Sequence, residues 1–141
     1  MSDEARNTAI LTEAYRRWSE SRGASADYWI SICDPSIRFG SIAEPLKSVA
    51  YMREYRSRDE LGAYFAGITQ DWEMLDYRVD HFVAQGDRVV MLGHCSWRAK
   101  ASGKVVSTPK CDSWRFADGK AVEFYEYFDT AQVMQAMAGT G

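Results

Sequence analysis

Residues that usually carry chemistry are scarce in this chain. Histidine occurs twice, at His81 and His94, and cysteine three times, at Cys33, Cys95 and Cys111. An odd number of cysteines without metal-ligand spacing builds neither a disulfide framework nor a zinc motif, so buried, reduced thiols in a cytoplasmic protein are expected. No apolar run reaches the roughly 20 residues that a membrane-spanning helix needs. The acidic, polar start over residues 1–8 lacks the basic and apolar regions of a signal peptide. Positive charge is not in excess either: 17 Lys and Arg stand against 20 Asp and Glu, a net charge of −3. Arg16, Arg17, Arg53, Arg56 and Arg58 are interspersed with acids and read as a solvated surface. Without a basic field there is no basis for nucleic-acid binding. Glycine-rich phosphate loops, nucleophile elbows, internal repeats and low-complexity stretches are all missing. What is left is one globular domain over residues 1–141, with no membrane partner.

Aromatic residues, by contrast, are plentiful: five Trp, eight Tyr and six Phe. That is more than a core of this size requires, and it suggests a large apolar interior or a lined cavity. Ile10, Leu11, Ala14, Tyr15 and Trp18 recur at helical spacing and predict a first helix over residues 3–22, stopped by Gly23. A short second helix is expected over 26–33, then a break at Asp34-Pro35 and a strand over 36–42. Residues 43–56 show no period and read as a loop. Ser57 and Glu60 have capping-box spacing ahead of a third helix whose buried stripe is Leu61, Tyr64, Phe65 and Ile68. Four strands follow, over 72–84, 88–99, 105–116 and 120–128, and Asp129 is placed to cap a final helix. Helices first and then an antiparallel meander make an α+β domain whose sheet curls over the helices.

The segment 110–130 holds the most specific signal. Read as a hairpin with a three-residue loop at Ala117-Asp118-Gly119, it pairs Trp114 with Val122, Asp112 with Phe124 and Lys110 with Glu126. One face then combines large aromatics with three charges, which seldom occurs in a core unless the charges are paired or useful. A two-residue Asp-Gly turn would instead put Asp112 and Glu126 on opposite faces. Treating Ala101-Ser102-Gly103 as another three-residue loop pairs Ser96 with Thr108, His94 with Lys110 and Leu92 with Asp112. A two-residue turn near Gly86 adds His81, opposite Val90 or Leu92. The expected cavity face therefore holds His81, His94, Lys110, Asp112 and Glu126, surrounded by Val83, Val90, Leu92, Trp114, Phe124 and Phe128.

On these residues the chain resembles the SnoaL-like and ketosteroid-isomerase-like members of the nuclear transport factor 2-like superfamily. Element order, the run Gly86-Asp87-Arg88-Val89-Val90 and the ending WRFADGKAVEFYEYFDT carry the likeness. The resemblance implies a conical α+β barrel around a deep apolar pocket, a homodimer formed through the outer face of the sheet, and work without cofactor or metal. Asp112-Ser113-Trp114-Arg115-Phe116 matches the segment that gives ketosteroid isomerases their oxyanion-hole aspartic acid, and Tyr15 matches their second donor. The strand Ile37-Arg38-Phe39-Gly40 has no carboxylate where those enzymes keep their base, which argues against ketosteroid isomerisation. Against limonene-epoxide hydrolases, Glu126 takes the place of one catalytic carboxylate, while His94 and Ser96 replace the arginine and the other aspartate. His81-Phe82 is similar to a pocket pair of scytalone dehydratases.

Those matches make Asp112, Glu126, His94 and Tyr15 the candidate catalytic residues. Trp18, Phe39, His81, Leu92, Ser96, Lys110, Trp114, Phe124 and Phe128 are expected to line a site for a small apolar molecule. Asp112 is read either as a neutral donor to a carbonyl or as a carboxylate neutralised by Lys110 or a histidine. Glu126 and His94 form either a proton-moving pair or a buried network that fixes strand register. Lys110 is expected to snorkel outward. The implied function is acid–base chemistry of isomerase, cyclase or dehydratase type on an apolar carbonyl or ring compound. The alternatives are a non-catalytic binding domain and an epoxide-hydrolase-like activity.

Overall fold

The computed structural model describes residues 2–138. Helix α1 (Asp3–Glu20) starts at Ser2, whose hydroxyl accepts from the Ala5 amide, and it buries Leu11, Ala14, Tyr15 and Trp18 at the predicted spacing. Gly23, at φ +84°, donates its amide to the Trp18 carbonyl and ends the helix in a left-handed turn. Helix α2 (Ala26–Ser31) leads into strand β1 (Cys33–Ser41), which begins earlier than expected and carries Pro35 inside it. Because β1 is an edge strand, a residue without an amide proton is tolerated there.

Between β1 and α3 (Leu61–Asp71) the chain makes 3₁₀ turns at Lys47–Val49 and Arg58–Glu60. The capping box does not form as expected. Ser57 makes no side-chain capping bond, and Glu60 reaches back to the Arg56 amide at 3.0 Å while the intervening residues wind as 3₁₀. Strands β2 (Trp72–Gln85), β3 (Arg88–Ala99), β4 (Val105–Ala117) and β5 (Lys120–Tyr127) match the predicted meander closely, and α4 (Thr130–Ala138) closes the described chain. Asp129 does cap α4, accepting from the Gln132 amide at 3.2 Å.

The sheet order is β1-β5-β4-β3-β2, antiparallel throughout except for the parallel β1–β5 edge pair. Strand β2 carries two bulges, between Met74 and Asp76 and between Val79 and His81. Each adds a residue, so the inward positions run Trp72 and Met74, then Tyr77 and Val79, then Phe82 and Ala84. Bulges bend and twist a sheet, and these curl it over the helices. Gly93 accommodates the second bulge, because a Cβ there would lie 2.1 Å from the Arg78 carbonyl oxygen. The result is the cone of the nuclear transport factor 2-like fold, its aromatic core between α1, α2 and α3 on one side and the concave sheet on the other.

Two register expectations change. The β4–β5 turn has two residues, Asp118 and Gly119, both left-handed at φ +50° and +79°. Alone it would have split Asp112 from Glu126, but a bulge at Val122 restores the parity and pairs Asp112 directly with Glu126. No compensation occurs between β3 and β4. There Ala99 and Lys104 pair around a four-residue loop, so Gly93 lies opposite Lys110, Met91 opposite Asp112 and His94 opposite Pro109.

Candidate functional site

That one-residue difference sorts the expected residues onto two faces. The Gly86-Asp87 turn pairs His81 with Leu92 as anticipated, yet both point outward, together with His94 and Ser96. On the outer face the His94 Nε2 lies 3.5 Å from the Ser107 hydroxyl, which in turn lies 3.0 Å from that of Ser96. These four residues do not line the cavity, and His94 cannot partner Glu126. Both histidines lie on the face opposite Glu126, so the three side chains cannot share a metal ion. Among the described residues no group of three or more side chains could hold a metal ion.

Within the cone lies a cavity of about 100 Å³. Tyr15, Trp18, Phe39, Lys110, Asp112, Trp114, Phe124, Glu126 and Phe128 line it as expected. Its aromatic walls are stacked: Trp29 on Trp114 at 5.4 Å and Phe39 on Phe124 at 4.2 Å between ring centroids. Tyr64, Tyr77, Trp97, Cys95 and Thr108 line it as well. The signal for Tyr64 was present in the sequence. A tyrosine in the buried stripe of a helix must find a partner for its hydroxyl.

At one wall stands a polar cluster built from α1, α3, β4 and β5. The Lys110 ammonium is held between two carboxylates, donating to Asp112 Oδ1 and, at 3.2 Å, to Glu126 Oε1. Only 10% of the lysine side chain and 3% of each carboxylate side chain are exposed. Lys110 therefore does not snorkel outward. Tyr15 donates to Asp112 Oδ2 at 2.5 Å and accepts from the Trp114 indole at 2.9 Å, while Tyr77 lies 3.4 Å from the same Oδ2. Asp112 is thus an acceptor on both oxygens. That geometry places Asp112 against the ammonium of Lys110 on one oxygen and the hydroxyl of Tyr15 on the other.

Glu126 is different. Tyr64 donates to its Oε1 at 2.9 Å, the oxygen that Lys110 also contacts, whereas Oε2 is buried without a hydrogen-bond partner. Burial lifts the glutamate above its ordinary range; Lys110 opposes the rise and the negative charge of Asp112 adds to it. For Lys110, burial works against the charge, but the two carboxylates outweigh it and hold the lysine above its usual value. Tyr15 and Tyr64 are raised far above theirs, first by burial and then by the carboxylate each one contacts. Cys95, in the cavity wall, is pushed up to about 11 by burial and is an inert thiol at neutral pH.

Comparisons with known proteins agree with this fold. Residues 11–124 match the model of the SnoaL-like domain. No curated protein matches the chain by sequence. Among solved structures, a nuclear transport factor 2-like protein of unknown function from Burkholderia pseudomallei superposes with a TM-score of 0.82 at 24% identity, covering 98% of this chain and 99% of its own. TerC, co-crystallised with polyporic acid, gives 0.80 at 19% identity over 94% and 98%. A putative SnoaL-like polyketide cyclase from Jannaschia sp. CCS1 gives 0.77 at 18% over 98% and 95%. At such identities the structures establish a shared fold, and the domain match does the rest: the protein belongs to the SnoaL-like domain family.

Proposed function

We propose that the protein is a small-molecule enzyme of isomerase, cyclase or dehydratase type, acting without a cofactor on an apolar carbonyl or ring compound. One observation carries the reading: Glu126 lines an aromatic cavity, and one of its carboxyl oxygens, Oε2, is buried without a hydrogen-bond partner. An orphaned buried acceptor costs about 1–3 kcal/mol, a cost that a ligand seated against it would remove. In the protonated form Glu126 donates its proton to a substrate carbonyl or hydroxyl oxygen. The carboxylate so formed then removes a proton from a neighbouring carbon, and the C–H electron pair becomes the new double bond. With a carbonyl the product is its enol; with a hydroxyl the protonated group leaves as water. In both cases the proton count balances and Glu126 ends as it began.

Lys110 and Asp112 set the electrostatics of that cycle. The lysine stabilises the transient Glu126 carboxylate, and Asp112 holds the lysine in place. Glu126→Gln should lower turnover by at least about a hundredfold while leaving the fold intact by circular dichroism. The assay follows a thermal-shift screen of cyclic ketones, enones and hydroxy-ketones, with every binder tested for conversion. Full activity in the glutamine variant would end this assignment.

A specific observation favours a second reading. Apart from Glu126 Oε2, the donors and acceptors of the cluster satisfy one another, as befits a polar network that shapes a binding site. Tight binding without conversion across the screen would make the domain a carrier or sensor of an apolar ligand. We also propose that two copies associate through the outer face of the sheet, where Leu92, Tyr125 and Tyr127 are exposed.

A further inference from the structure

The two oxygens of Glu126 have unlike surroundings. Oε1 receives the Tyr64 hydroxyl from α3 and the Lys110 ammonium from β4. A carboxyl oxygen offers two lone pairs, so those donors occupy both. Oε2 is buried and receives nothing. We propose that Tyr64 is a positioning residue which, with Lys110, holds the proton of Glu126 on Oε2, so that the cavity is faced by a carboxylic O–H and not by a carboxylate. The inference rests on the reading above, in which Glu126 is the group that exchanges the proton.

Charge in the cluster supports a resident proton. Glu126 is surrounded by Tyr15 of α1, Tyr51 of the segment between β1 and α3, Tyr64 of α3, Tyr77 of β2, Cys95 of β3, Lys110 and Asp112 of β4, and Ser41 of β1. Burial keeps the four tyrosines and the cysteine neutral, so Lys110 is the one cation in this group, and Asp112 shares it. With both carboxyls ionised the buried group would carry a net negative charge at high desolvation cost; with Glu126 neutral, lysine and aspartate cancel. Burial, the largest influence, and the Asp112 charge push the glutamate in that direction; Lys110 and the hydroxyls of Tyr64 and Ser41 pull the other way, and the net direction is upward.

A defined seat for the proton has two consequences. The ligand atom that meets Oε2 is an uncharged acceptor, such as a carbonyl or hydroxyl oxygen, because an ammonium would find a donor where it needs an acceptor. When the proton leaves, the new charge spreads onto Oε1, where Tyr64 and Lys110 already donate, and no side chain has to move to receive it.

Infrared spectroscopy reads this placement without any ligand. If the proton sits on Oε2, the carbonyl of the acid is C=Oε1, and its two hydrogen bonds lower the stretching frequency. Protein labelled with [δ-¹³C]glutamate should show, at a pH above the ordinary glutamate value of 4.5, a protonated carboxylic-acid band below the frequency of a free acid, absent from Glu126→Gln. Tyr64→Phe should move that band upward. A band at the free-acid frequency, a band indifferent to Tyr64→Phe, or none in this pH range would each overturn the proposal. The wild-type frequency decides alone if the phenylalanine variant fails to fold. Loss of turnover in Glu126→Gln with a band that ignores Tyr64→Phe retires the placement and leaves the acid–base assignment standing. The expected band in a protein that converts nothing does the opposite.

Discussion

The two faces of one sheet make an instructive pair. The concave face buries Lys110, Asp112 and Glu126 against aromatic rings, and each polar group except Glu126 Oε2 has a partner. The convex face carries both histidines, Ser96 and Ser107, with loose contacts of 3.0 and 3.5 Å and no enclosing wall. By residue type alone the convex set looks better suited to proton transfer. Burial reverses that ranking. A charge near water is screened, whereas a charge inside an aromatic cone interacts strongly with its neighbours. The electrostatic surroundings of a polar side chain in this molecule are decided by face more than by side-chain type.

The largest effect expected from testing that contrast comes from Lys110→Met. Two buried carboxylates would lose their counter-charge, and breaking a buried pair in this way costs on the order of 3–5 kcal/mol. Chemical denaturation should show the loss at neutral pH, with partial recovery in acid as the carboxylates take up protons. A variant as stable as wild type would mean that water already screens the cluster, and the difference between the faces would collapse.

Much of the fold was legible because its signals are local. The stripe Leu11, Ala14, Tyr15 and Trp18 settles α1, the turns at Gly86-Asp87 and Asp118-Gly119 bound their strands, and Asp129 caps α4 as expected. The face of a strand is not local. It depends on the parity of every loop and bulge between it and its neighbour, so one residue more or less inverts it. At the β4–β5 turn two departures cancelled, a shorter loop and a bulge at Val122, and Asp112 met Glu126 regardless. At the four-residue loop Lys100–Gly103 nothing cancelled, and His81, Leu92, His94 and Ser96 changed sides together. The resemblance matched Tyr15 and Asp112 each to a donor position, but that their side chains meet at 2.5 Å needed coordinates.

A second test uses pH. Glu126 is raised above the ordinary glutamate value of 4.5 in the folded protein, so the native state binds a proton that the unfolded chain has already released. Its contribution to stability is full below about 4.5 and declines as pH rises through the folded value. Measured against Glu126→Gln, which cannot titrate, wild type should therefore lose relative stability between pH 4.5 and neutrality. A flat difference would show that Glu126 ionises in the cone as it does in water. A rising one would mean that its partners favour the carboxylate, which would remove the acid from the proposed cycle.

The smallest effects should come from the convex face. His94→Ala removes the imidazole that sits 3.5 Å from Ser107 on the side of β3 away from the cavity. Ligand binding and the infrared band of Glu126 should both stay as in wild type. Leu92→Arg puts a charge in the middle of the exposed apolar surface that includes Tyr125 and Tyr127. Like charges facing each other across a two-fold contact, with their desolvation, should split the proposed dimer as read by light scattering. If each cone is complete within one chain, the resulting monomer keeps an unchanged Glu126 band and binds the same ligands. A dimer that persists would clear this surface of an association role. A loss of binding on His94→Ala or on dissociation would reach further, because it would show that the convex face supports the concave one and that the two cannot be read apart.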